Sequence, residues 1–426
     1  MSHDALARVD VWERGVPVRR RLFTTETLLL LGLAAVGTVL AAVRMSGGLG
    51  PYAGMTDTYA WGVWKTFNVM TLTALGSGAL AVGMATWVLN VERLHSVMRV
   101  ALVTSFLFYF TGLVALGVDV GRPWNMIWLA TPWNWNTESA LFEVAFAMPL
   151  YAMVFLAFEN VPLVLERWWY IGSDQSRARI RRFQGVMRYV YPFMVAGALL
   201  LPMGHQSSLG ALMLLAGERL HPLYQSLMLP YLYVIQAAIC GFAFVIFILM
   251  ASCATYRRPL DMRVLSMLAS LASWTVLFWF GLRMVDIAWR GALGHAFSLD
   301  LYAGTFWLEN LLVVGPAIAF RSPALRHSPR IVFGGAVAMA LGGLMYRFVP
   351  TTIAFNPDAH AFYFPTVPEL LISAGLIAFA LAMYVMAIKL FAVLPAPLAE
   401  WDRTMAEARK NYPNIARDGH GNPIDH

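Results

Sequence analysis

The sequence predicts an all-α, polytopic integral membrane protein of about ten transmembrane helices. Three observations carry that reading. Hydrophobic residues make up 59% of the 426 positions and charged residues only 13%, where a soluble domain carries roughly 25% charge. Mean hydropathy is +0.61. Apolar runs of about 20 residues, long enough to cross a hydrocarbon core of roughly 30 Å, recur along nearly the whole chain. No stretch between them is long enough for a large soluble domain.

The elements follow in order. Segment 1–24 is polar and Arg-rich, and the first apolar run behind it is long enough to span rather than to be cleaved as a signal peptide. Spans are expected at about 25–45, 66–90, 99–118, 140–160, 188–203, 226–253, 264–288, 303–320, 331–347 and 368–392. The membrane domain is therefore 25–395, followed by a polar tail, 396–426. Small residues in the second span, including Gly76, Gly78 and Gly83, suit close helix packing. Ten crossings put both ends on one side. The ends and the connections near 91–99, 161–188, 254–263 and 321–330 hold 24 of the 31 Lys and Arg, and the opposite side holds seven. The positive-inside rule makes both termini cytoplasmic, in a bacterial inner membrane. The net charge of +7 is this topology signal and needs no nucleic acid.

The outer connections are long, aromatic and rich in Pro, Asn and Trp, notably Gly47–Lys65, Asp119–Glu138, His205–Gln225, Asp286–Tyr302 and Arg347–Pro368. Long ordered loops carry function, and this periplasmic face is expected to dock a redox partner; an interfacial aromatic belt is the blander alternative.

Cofactors are bounded by the side chains available. A b-type haem needs two axial ligands, usually His, facing each other inside a bundle. Of nine histidines only His205 falls at the edge of a span, so no haem is expected. Cys240 and Cys253 share one apolar run without a CxxC or CxxCH motif, so no iron–sulfur cluster and no metal site are expected either. Electrons would have to come from another protein.

The most informative stretch is Leu201-Pro-Met-Gly-His-Gln-Ser-Ser-Leu-Gly210. Pro202 and Gly204 are expected to break the fifth helix, with Ser207 or Ser208 capping a short new helix that stops at Gly217. Its N-terminus would favour an electron-rich ligand beside His205 and Gln206, such as a quinone carbonyl. The alternative is a structural histidine. Buried carboxylates form a second set: Asp119, Glu143, Asp286 and Glu309, with Arg283 one turn below Asp286 and Arg122 after Asp119. They supply either protons for quinone reduction or structural ion pairs, for example Arg283 with Asp286. A secondary transporter also uses broken helices and buried charges, but no internal repeat is evident and the polar groups gather near one face.

Several stretches match a known family: Trp61-Gly-Val-Trp64, Asp119-Val-Gly-Arg-Pro-Trp-Asn125, Leu141-Phe-Glu-Val144, His205-Gln-Ser-Ser-Leu-Gly210, His221-Pro-Leu-Tyr-Gln-Ser226, Phe306-Trp-Leu-Glu309, Ala354-Phe-Asn-Pro357 and Tyr363-Phe-Pro365. From about 25 to 395 the chain resembles the NrfD/PsrC-like integral membrane subunits, and within them those of periplasm-facing NiFe-hydrogenases. The resemblance implies a haem-free helical subunit that exchanges electrons between a ferredoxin-like four-cluster iron–sulfur subunit and membrane quinone, menaquinone or ubiquinone. It further implies NiFe-hydrogenase small and large subunits as partners. The same module anchoring a molybdopterin or nitrite reductase remains the alternative. Carried onto this chain, the resemblance places the quinone near His205, Asp119, Arg122, Glu143 and Trp124. Asn68 stands where some relatives have Asp, and an amide cannot relay a proton.

Overall fold

The computed structural model describes residues 15–171, 173–358 and 363–411, and every described regular element is a helix. We number the helices α1 (Thr25–Gly47), α2 (Trp64–Val88), α3 (His95–Asp119), α4 (Ala140–Trp169), α5 (Asp174–Leu214), α6 (Leu229–Tyr256), α7 (Met262–Trp289), α8 (Leu301–Ala319), α9 (Pro329–Thr352), α10 (Val367–Leu390) and α11 (Leu398–Asn411). Nine are long and apolar enough to cross a membrane, and ten if the two arms of α5 count as one span. All ten expected spans fall on these segments.

α2, α3 and α6 are the most buried spans, and α1, the least buried, lies against α10. The α1–α10 contact is set by two glycines: a Cβ on Gly37 would come within 2.8 Å of the Gly375 Cα. α2 is the most enclosed span and is irregular, with π-helical turns at Trp64–Thr71 and Met84–Val88 and a break at Gly76–Ser77. Gly241 of α6 lies against the backbone of that break, where a Cβ would meet the Ser77 carbonyl. The small residues of α2 thus serve close packing.

The two ends of the bundle differ. At one end Val18 N–H donates to the Ile388 carbonyl (2.9 Å), Arg99 to Ala392 O (2.9 Å), and Arg258 pairs with Glu400 (2.8 Å). Both ends of the described chain therefore meet at the side of the basic connections. At the other end the long connections knit together: His221 N–H donates to Ala354 O (2.9 Å), Arg290 to Pro222 O (2.8 Å), and Tyr59 OH to Thr351 O (3.0 Å). Thr366 and Glu369 form a capping box that starts α10 here.

One expected element is absent. α5 runs through Pro202 and Gly204 without a break, and its axis turns by 63° further back, between Gln175–Met187 and Tyr189–Leu214. Inside a bundle a helix can run on through proline, where in water it would end. No new helix starts at Ser207 or Ser208, so the helix-N-terminus argument for ligand binding falls. The expected stop is nearly kept: α5 ends at Leu214, and Gly217 has the left-handed φ of 55°.

Candidate functional site within the helical bundle

Because α5 continues to Leu214, His205 lies nine residues inside it, about 13 Å from its C-terminal end. The expected position at the edge of a span is thus corrected: His205 is deep in the bundle and fully enclosed. The cluster around it draws on three other helices. Gln206 donates through Nε2 to Tyr109 OH (3.1 Å, α3) and Thr73 Oγ1 (3.2 Å, α2). His205 Nδ1 is 3.5 Å from the same amide nitrogen. Tyr109 stands edge-on to the imidazole at 5.5 Å and to Tyr151 of α4 at 4.7 Å. His205 Nε2, Gln206 Oε1 and Tyr151 OH are buried with no partner. Each such group costs about 1–3 kcal/mol unless something fills its valence. Three open valences in one cluster make this the candidate site.

One turn along α5 the environment changes. The Ser208 hydroxyl donates to the Glu143 carboxylate of α4, and Glu143 and Gly204 face outward from the bundle. A Cβ on Gly204 would meet nothing. α5 therefore separates an enclosed polar cluster from an outward-facing carboxylate. Ser208, rather than the half-buried Ser207, makes the contact with Glu143.

The remaining expected residues form separate groups. Asp119 is buried and pairs with Lys65 (3.3 Å), not with Arg122. It lies ten residues above Tyr109 in α3, roughly 15 Å along the axis, so it is not brought to His205. Arg122 and Trp124 are exposed in the α3–α4 connection, where Arg122 lines a cavity of about 290 Å³ with Asn125, Trp135 and Phe142. Asn68 accepts from Ser373 (2.6 Å), and its amide nitrogen is buried without a partner.

The ion pairs also differ from expectation. Asp286 pairs with Arg290 (2.9 Å), one turn on, and Arg283 pairs with Glu309 of α8. Both i+4 and i−3 neighbour Asp286 along the helix; the partly exposed Asp286 takes Arg290, and the buried Arg283 is taken by the fully buried Glu309. Asn310 Oδ1 accepts from Arg283 (3.3 Å), Tyr224 OH lies 3.4 Å from Glu309, and the rings of Phe306, Tyr346, Trp279 and Tyr224 surround the guanidinium at 4.6–5.4 Å.

Sequence reasoning missed Tyr109, Tyr151 and Thr73, which look like ordinary span residues. It also missed Arg347, placed among outer-side charges yet fully buried, with Nε on Gln236 Oε1 (2.9 Å) and Nη2 on Tyr233 O (2.8 Å). A single Arg between apolar turns of a span was the available signal.

The family model described as polysulphide reductase, NrfD, matches residues 52–354. This chain belongs to that family. The probable Ni/Fe-hydrogenase 2 b-type cytochrome subunit of Escherichia coli is 33% identical over 397 residues, 92% of this chain and 98% of the relative. The integral membrane subunit of a menaquinone reductase from Nitratidesulfovibrio vulgaris is 27% identical, over 85% of this chain and 89% of its own length. A selenate reductase subunit from Mesobacillus selenatarsenatis is 21% identical over 37% of this chain and 34% of its own length. The family match leaves out α1, α10 and α11.

The first relative's name includes a b-type cytochrome. A pair of axial histidines does not fit here among the described residues. His205 is enclosed by Gln206 and Tyr109, His95 and His327 lie at helix ends, and His221 and His295 meet in the long connections at the end of the bundle away from the basic ones. His360 and the tail histidines His3, His420 and His426 lie outside the described residues.

Proposed function

We propose that this chain is the quinone-reactive membrane subunit of a periplasm-facing NiFe-hydrogenase complex. In this reading it passes electrons from an iron–sulfur partner subunit to menaquinone or ubiquinone. The observation that carries it is the arrangement on α5: an outward-facing Glu143 on Ser208, one turn from an enclosed His205 with an unpartnered Nε2. Quinones live in the bilayer, so their head group needs a polar site reached sideways through helices, with groups that donate protons as electrons arrive. Reduction of one quinone takes two electrons and two protons. Glu143 and His205 supply hydrogen bonds and protons on either side of α5, and Gln206 and Tyr109 hold the imidazole in place. Asp119, with Lys65, and the exposed Arg122 and Trp124 belong to the outer face, where the iron–sulfur subunit docks; Asn68 contributes a hydrogen bond but no proton. Asp286, Glu309 and Arg283 sit in the outer half as candidates for proton uptake. The basic end is cytoplasmic and both termini lie there. The hydrogenase assignment rests on the first relative, which shares nearly the full length.

The test uses the complex purified in mild detergent. His205→Ala and Glu143→Gln are expected to lower quinone reduction by at least about a hundredfold, while hydrogen-dependent reduction of a soluble dye is unchanged. Equal loss of both activities would point to assembly instead. Co-purification of a molybdopterin or multihaem subunit would keep the quinone module and change the substrate. Recovery of the chain alone would favour a transporter.

A further inference from the structure

The interior holds a charge that the function described above does not use. Arg347 of α9 is fully buried, and no Asp or Glu pairs with it among the described residues. Its side-chain partners are the neutral Gln236 amide and Tyr233 carbonyl, with the Tyr233 ring 4.1 Å from the guanidinium. Nη1 has no partner, nor do the hydroxyls of Tyr233 and Tyr346 beside it. This contrasts with Arg283 on the neighbouring helix, which has Glu309. An uncompensated cation inside a membrane protein costs several kcal/mol. A fold that retains one has a use for its field.

The field points to the His205 pocket. Gln236, which holds Arg347 from α6, also donates to Cys240 Sγ (3.1 Å). Cys240 and Ala237 pack on Ala74 of α2. Beside Ala74 on α2 are Thr73, bonded to Gln206, and, one turn on, Ser77, 3.4 Å from Tyr109 OH. Arg347 and His205 thus lie on opposite sides of one short segment of α2. Gly343, one turn before Arg347, keeps room for this line: a Cβ there would come within 2.6 Å of Gln236 Nε2.

We infer that Arg347 is the fixed cation that offsets the negative charge a quinone gains as it is reduced beside His205. This rests on the quinone reading above. Two electrons arrive from the iron–sulfur partner and two protons from water through the site's own acids, giving the quinol. Whenever an electron precedes its proton, the pocket carries one extra negative charge in a low-dielectric interior, and a buried cation favours that moment. Arg347 is a positioning residue in this sense, acting across α2 and not by contact with the substrate.

The test compares Arg347→Gln, Arg347→Lys and Gln236→Glu in the purified complex, reading quinone-analogue reduction and soluble-dye reduction. Gln236→Glu is nearly isosteric, keeps the acceptor for Arg347 Nε, and cancels the charge without removing the arginine. Arg347→Gln and Gln236→Glu are expected to lower kcat for quinone at least about tenfold, with KM within about twofold and dye reduction unchanged. Arg347→Lys is expected to keep most of the rate. Wild-type kcat in Gln236→Glu would overturn the inference. So would an equal loss in Arg347→Lys and Arg347→Gln, which marks a role in packing. If the wild-type complex reduces no quinone analogue, the quinone reading fails first and this inference falls with it.

Discussion

Replacing Glu309 by Gln separates a structural ion pair from a proton carrier. Arg283 and Glu309 have side-chain exposures of 3% and 0%. The introduced amide would still accept a hydrogen bond from Arg283, so the change removes charge and little shape. Breaking a buried pair from one side costs about 3–5 kcal/mol, because the partner is left charged and unsolvated. Here the Asn310 carbonyl at 3.3 Å and four surrounding ring faces remain, and each desolvated ring offers about 0.5–2 kcal/mol to a guanidinium. The expected loss is therefore at the low end, about 3 kcal/mol. Arg283→Met alone leaves a bare carboxylate near Tyr224 and is expected to cost more. The double variant, Arg283→Met with Glu309→Gln, removes both charges and is expected to lose clearly less than the sum of the two single variants. The assay is a double-mutant cycle on unfolding of the complex in mild detergent, with quinone reduction measured beside it. A coupling energy of at least about 2 kcal/mol is expected. Additive single losses would refute the ion-pair reasoning. A stable Glu309→Gln complex with intact dye reduction and lost quinone turnover would show that Glu309 carries protons.

Two other outcomes are expected. Gly343→Ala pushes a methyl group into Cys240 Sγ and Gln236. It is expected to cost about 1–3 kcal/mol in unfolding measurements, with part recovered by Cys240→Ala. In the connections outside the spans, burial and the nearby His295 hold the His221 imidazole below its ordinary value, with Asp300 opposing. The unfolded chain then binds the extra proton first, so stability is complete above about pH 6.5 and falls as pH drops through that value. Melting temperatures of the complex from about pH 8 to pH 5 are expected to show this decline. His221→Phe, which keeps the 4.4 Å stacking on Tyr302, is expected to flatten it.

The ten spans were legible because a bilayer rewards one property, apolar length, that composition reports directly. The basic bias of alternate connections was legible for the same reason, and contacts at that end of the bundle join the two ends of the described chain. The local grammar of helix breaking misled at Pro202 and Gly204: in water these residues end helices, but inside a bundle neighbours supply the missing partners. That single difference moved His205 from the rim to the interior.

Sequence alone determined that this is a multi-span helical membrane protein of the NrfD type, and it marked His205, Gln206 and Glu143 as polar groups that needed partners. Tertiary structure alone decided the pairing. It put Glu309 rather than Asp286 on Arg283, Lys65 rather than Arg122 on Asp119, and Tyr109 and Thr73 on Gln206, and left Arg347 without a counter-charge. Hydropathy is a sum over one helix and can be read along the chain. Charge compensation and open hydrogen-bond valence depend on which faces of different helices meet, and those faces come together only when the bundle packs.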